Sequence, residues 1–161
     1  MEKGVSQMNY LTKEDLLSLV ENQAFENLQV EFKTYSFDNG KIGGREKDDL
    51  VKEIVAFANS EGGNIIIGID EDGKRMASKL VDANCTVSDF DGIQLALQQY
   101  MLAKIRPRLF GVKMHSIVVN ENKIAIVITV PKSYSRPRCK RWQQRCFLFA
   151  SFKWYHEYEC R

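Results

Sequence analysis

Between Ala56 and Asp70 the end of an amphipathic helix, a glycine turn, an apolar run and an acidic strand end follow one another without a spacer, which leaves this chain few ways to fold. Leu50, Ile54, Val55, Phe57 and Ala58 recur at helical spacing and predict a helix over 47–60. Gly62 is placed to end it in a left-handed conformation. Residues 65–69 are almost wholly apolar, the pattern of a strand covered on both faces. Asp70, Glu71 and Asp72 then emerge where that strand surfaces, and Gly73 closes the turn. Carboxylates gathered at a strand end beside a glycine turn are one way to build a site.

The flanking sequence supplies the other elements. Thr12 and Asp15 have capping-box spacing ahead of Leu16, Leu17, Leu19 and Val20, a short amphipathic helix expected to pack as a lid. Residues 30–35 alternate with period two, with Phe32 on one face and Glu31, Lys33 and Tyr35 on the other. A polar, glycine-rich loop is expected over 38–45. Ser88 is placed to cap a helix reaching about Ile105, with Ile93, Leu97, Met101 and Leu102 inward and Pro107 after its end. Residues 112–119 and 123–130 alternate around Asn120-Glu121-Asn122, a hairpin. The expected order is α-β-α-β-α-β-β, an α/β (α+β) single domain with a mixed β-sheet flanked by helices.

At 161 residues, 44% hydrophobic and 27% charged, the chain is long enough to bury a sizeable core in one domain. With no apolar run of bilayer length, no apolar signal region at the start and four cysteines without disulfide spacing, the expectation is a cytoplasmic protein. The net charge is +2, but residues 138–161 hold six Lys/Arg and two Asp/Glu. The other 137 residues therefore carry 23 − 6 = 17 basic and 21 − 2 = 19 acidic groups, a net of −2. Overall charge gives no argument for a polyanion; only a local patch does.

Glu26, Glu31, Lys33, Asp70 and Asp72 are the polar residues to watch. Three carboxylates brought together hold a divalent cation, which polarises a phosphate and activates water. Glu26 and Glu31, five apart, cannot share a face of one strand, so Glu26 has to precede it on a turn that brings it back. The plainer reading makes Glu31 and Lys33 an ion pair and Asp70 and Asp72 the turn of a hairpin. Asn59, Ser60, Gly62 and Gly63 read as a helix C-cap in preference to an anion cradle, because a helix C-terminus repels anions. Arg106 and Arg108 flank Pro107, either as phosphate contacts or as a helix-end charge and a surface residue. His115 reads as structural.

From Glu26 to Lys33, from Ala56 through Ser60 with Gly62-Gly63, and from Ile67 to Asp70 with Asp72-Gly73, the sequence resembles the Schlafen AlbA-type domain family. Ile105-Arg106-Pro107 and the strand ending at Pro131 fit as well, and the resemblance covers roughly residues 12–137. It implies an α/β domain that binds DNA or RNA, in bacteria often the N-terminal part of a transcriptional-regulator-like or ATPase-like protein. In Schlafen members with RNase activity two glutamates and an aspartate are the metal-linked catalytic carboxylates. Carried over, these are Glu26, Glu31 and Asp70, with Mg²⁺ or Mn²⁺ as cofactor. Such enzymes pair two lobes, so activity from this single lobe implies a homodimer.

Three functions follow as expectations. The leading one is a nucleic-acid-binding module with Lys33, Lys41, Arg45, Arg106 and Arg108 on phosphates. The second is a metal-dependent nuclease using Glu26, Glu31 and Asp70. The third is a protein-interaction or oligomerisation domain. Residues 138–161 stand apart, with both tryptophans, three of the four cysteines and seven aromatics. They read as a zinc site (Cys139, Cys146, His156, Cys160), as a basic, aromatic nucleic-acid-binding tail or, preferred here, as a shifted reading frame beginning near Pro137. Moving the frame by one base turns each tryptophan into glycine and yields two turn signals between strand-like residues. On that reading the tail packs poorly and the natural protein continues beyond it.

Overall fold

The computed structural model describes residues 11–139. Its elements are α1 (Lys13–Glu21), β1 (Val30–Lys33), α2 (Gly44–Asn59), β2 (Gly62–Ile67), β3 (Ile69–Glu71), β4 (Ala77–Leu80), α3 (Phe90–Lys104), β5 (Ile105–Arg106), β6 (Lys113–Asn120), β7 (Lys123–Pro131) and β8 (Arg138–Cys139). A four-stranded sheet in the order β1-β2-β7-β6 forms the middle layer, with β1 parallel to β2 and the other pairs antiparallel. The mixed α/β fold expected from the sequence is the one observed. The parallel pair needs a crossover, which α2 supplies.

Burial alternates along the central strands. Ile65 and Ile67 of β2 and Ile124, Ile126 and Ile128 of β7 face α2 and α3, where Leu50, Ile54, Phe57, Ile93 and Leu97 complete the larger core. Ile66, Ala125 and Val127 face the other way, onto Leu16 of α1 and Ile69 and Ala77 of the β3-β4 hairpin. Two-sided coverage is why this run is continuously apolar.

Four boundaries differ from the sequence reading, each for a local reason. The helix placed at 47–60 begins at Gly44, so part of the glycine-rich loop is helical. The strand over 65–69 breaks at Gly68, whose φ of +123° ends β2 and starts a separate hairpin. A Cβ there would sit 2.8 Å from the Ala125 Cβ. Ser88 is not the cap of α3. Thr86 and Asp89 instead form a capping box around a single 3-10 turn, Val87–Asp89, that leads into the helix, and Leu102 is exposed. Residues 138 and 139 belong to the packed domain, because β8 pairs with β5 and Cys139 is buried in the larger core. Cys146, His156 and Cys160, and with them the zinc, aromatic-tail and shifted-frame readings, lie outside the described residues. The Thr12–Asp15 capping box and the hairpin around residues 120–122 are present.

Candidate functional site

Two polar constellations sit at different places on this frame. The first surrounds β1. A tight turn bridged between Asn27 and Val30 folds Glu26 back, and its Oε1 accepts a hydrogen bond of 2.9 Å from the Phe32 amide. The Glu26 amide donates to the Arg75 carbonyl, which lays this segment along the β3-β4 hairpin. Burial pushes the Glu26 carboxyl above its ordinary value, and the neighbouring charges of Glu31 and Glu71 push the same way. Glu31 is only 7% exposed and lies 2.7 Å from Lys33 Nζ. Burial works to lower the Lys33 ammonium, but the bond to Glu31 and the charge of Glu53 outweigh it and hold the value up.

The sequence-predicted carboxylates are thus brought together only in part. Glu26 and Glu31 are neighbours, and the further acid that bears on Glu26 is Glu71, which the sequence reading passed over in favour of Asp70. Asp70 is exposed and stands opposite Lys79 across the hairpin. Asp72 makes the hairpin turn, its Oδ1 accepting from the amides of Lys74 and Met76. Among the described residues no three acidic, histidine or cysteine side chains are grouped to hold a metal ion. Glu31 is engaged by an ammonium and Oε1 of Glu26 by a backbone amide, and Glu26, Glu31 and Asp70 are not grouped as a set of three ligands for a Mg²⁺ or Mn²⁺ ion. Lys33 is ion-paired to Glu31 within this cluster.

The second constellation lies where α3 ends. Arg106 and Arg138 are register partners across β5 and β8. The two Arg-Pro-Arg triplets of the chain, 106–108 and 136–138, therefore meet at Arg106 and Arg138. Arg106, Pro107, Tyr134, Arg136 and Arg138 line much of an open groove of about 760 Å³, and no acidic side chain among the described residues lines it. Arg106 also caps α3, its NH1 donating to the carbonyls of Leu102 and Ile105 at 2.6 and 2.7 Å. The helix-end reading thus holds for Arg106, which is also one of the residues that line the groove. Arg108 is exposed and Lys41 and Arg45 are exposed, but none of the three lines the groove. Lys41 closes a turn with Asp38 whose Gly40 packs beside Asp89 and Ile93, at the far end of α3, roughly 20 Å away at 1.5 Å per residue.

The glycine segment sets the groove wall. The loop carrying Tyr134 and Arg136 is tied to the end of α2 on both sides: the Ser133 amide donates to the Ala58 carbonyl at 2.7 Å and Asn59 Nδ2 donates to the Pro137 carbonyl at 2.9 Å. Ser60 is the C-cap of α2, and its hydroxyl donates to the Phe57 carbonyl. Gly62, at φ +80°, lets β7 approach, since a Cβ would meet the Val130 carbonyl oxygen at 2.6 Å. The residues read as a helix cap therefore end α2 and anchor the loop beside the groove.

Comparison with known proteins follows the same outline. The family model for Schlafen, AlbA_2 matches residues 26–149. This chain belongs to that family. The match runs twelve residues beyond the boundary at 137 expected from the sequence. The solution structure of the N-terminal domain of a RecG-related protein from Nitrosomonas europaea, named for ATP-dependent DNA helicases, superposes with a TM-score of 0.58 at 19% identity. That superposition covers 92% of this chain and all of the other, a likeness of fold. The DIP2311 protein from Corynebacterium diphtheriae aligns over 80% of this chain and 24% of its own at 17% identity, with a TM-score of 0.44. No curated protein matches in sequence. Among the described residues of this AlbA_2 domain no helix is long and apolar enough to cross a membrane.

Proposed function

We propose that this AlbA_2 domain binds nucleic acid through the groove beside the β5-β8 pair. The observation that carries the reading is the pairing of the two Arg-Pro-Arg triplets, which concentrates Arg106, Arg136 and Arg138 on one concave surface of a chain whose first 137 residues are net acidic. Guanidinium groups donate several hydrogen bonds in a planar fork that suits phosphate oxygens. Nothing on this surface resembles a recognition helix, so the contacts are to the backbone and sequence preference is weak. Family membership and the likeness to the N-terminal domain of a RecG-related protein support a module within a larger ATPase-like or regulator-like protein. The test is fluorescence anisotropy with labelled oligonucleotides at low salt, with circular dichroism to confirm folding. The double variant Arg136→Glu, Arg138→Glu loses at least tenfold in affinity, whereas Lys41→Glu, at the other end of α3, changes it little. Undetectable binding of every polymer by the wild type refutes the reading and leaves an interaction domain in its place.

A further inference from the structure

Tyr134 is 88% exposed, an unusual setting for an aromatic ring unless something covers it. It lines the same groove as the three arginines, and Lys132 Nζ stands 5.6 Å from its ring centroid. Lys132 is in turn held by Glu61 at 2.7 Å. The backbone under the ring is fixed rather than free-running, because Ser133 and Pro137 are both tied to the end of α2 and the Ser133 and Ser135 hydroxyls are 2.9 Å apart. An exposed ring on an anchored loop, flanked by guanidinium groups, is the arrangement that single-stranded nucleic acids use: cations follow the phosphates while a base stacks on the ring. In a duplex the bases are already stacked on one another and give such a ring nothing to bind.

We infer that the groove takes single-stranded DNA or RNA in preference to duplex, with Tyr134 as the stacking platform for one base and Arg106, Arg136 and Arg138 on the adjoining phosphates. This rests on the nucleic-acid reading above and adds the strandedness of the ligand and the residue that reads it. Tyr134 projects into solvent, so its replacement leaves the core untouched.

The experiment measures the affinities of wild type, Tyr134→Leu and Tyr134→Trp for labelled oligo-dT, oligo-U and a duplex of equal length at one low salt concentration. Wild type binds the single strands more tightly than the duplex. Tyr134→Leu weakens the single strands by roughly 5- to 150-fold, the range of one lost base–aromatic stack, and leaves the duplex within about twofold. Tyr134→Trp restores single-strand binding. A duplex bound as tightly as the single strands, or a Tyr134→Leu variant that weakens neither or both alike, overturns the platform while leaving phosphate binding by the arginines intact. Failure of wild type to bind any of the three polymers overturns both. Comparison of oligo-dT with oligo-U separates DNA from RNA as the preferred strand.

Discussion

Replacing Gly63 by alanine isolates the packing on which the end of α2 depends. Gly63 does not occupy the left-handed region, so alanine meets no backbone penalty and the effect is steric. A Cβ there would lie 2.6 Å from the Gln29 carbonyl oxygen and 2.7 Å from two ring carbons of Phe57. That carbonyl already accepts the Asn64 amide at 2.7 Å, and Phe57 is buried in the larger core. Neither neighbour is the free end of a flexible side chain, so β1 or α2 has to move. Overpacking of this kind costs about 1–3 kcal/mol. The lost freedom of the unfolded chain returns roughly 0.4–1 kcal/mol of that. With three contacts this close the net is about 2 kcal/mol, which lowers a urea midpoint by on the order of 1 M at a typical slope. Gly92, inside α3 with nothing within 4 Å of its Cβ position, is the matched control. There alanine is favoured by helix propensity, and the midpoint rises, by up to about 1 kcal/mol of stability. Urea titration followed by far-ultraviolet circular dichroism reads both. A Gly63→Ala variant as stable as wild type refutes the steric account of this segment.

Glu26→Gln tests the electrostatics beside β1. Burial holds the Glu26 carboxyl above its ordinary value in the folded state, so the stability it contributes is present below the ordinary carboxylate range and is lost as pH rises through the folded-state value. The amide keeps an oxygen for the Phe32 N–H, so Glu26→Gln is more stable than wild type at pH 7 and the difference vanishes at acid pH; denaturation at a series of pH values reads it, and a variant less stable at pH 7 contradicts the assignment. Thr12→Ala removes the side-chain half of the α1 capping box, the hydroxyl that accepts from the Asp15 amide, keeps the Thr12 backbone amide on the Asp15 carboxylate, and lowers stability by about 1 kcal/mol in the same titration. No change there means that α1 is held by Leu16 and its tertiary contacts alone.

The long, periodic elements were legible because burial imposes its own period: α2, the hairpin of β6 and β7, and the two-sided β2 all follow from where their isoleucines, leucines and valines fall. The short ones were not. β3 and β4 hold three and four residues, too few for a period to stand out, and the break that creates them is one glycine inside an apolar run. Burial raises the Glu26 carboxyl, and beyond the break it is the charge of Glu71 that adds to it. β5 and β8 are two residues each and pair across more than thirty positions, so their meeting has no local signal. A signal of another kind was present. Arg-Pro-Arg occurs twice, and a domain boundary drawn at 137 cut through the second copy. Tyr134 and Arg136, groove residues that sequence reasoning missed, lie just before that cut, and Arg138, just after it, was assigned to the tail.

The salt dependence of single-strand binding tests the central claim most directly. Three arginines on phosphates release about three counterions, so a plot of log affinity against log salt falls with a slope of roughly −2, at about −0.7 per contact on a single strand. In the Arg136→Glu, Arg138→Glu double variant the slope shrinks by more than one unit along with the affinity. A wild-type slope near zero, or a slope that the double variant leaves unchanged, contradicts phosphate binding in the groove beside the β5-β8 pair.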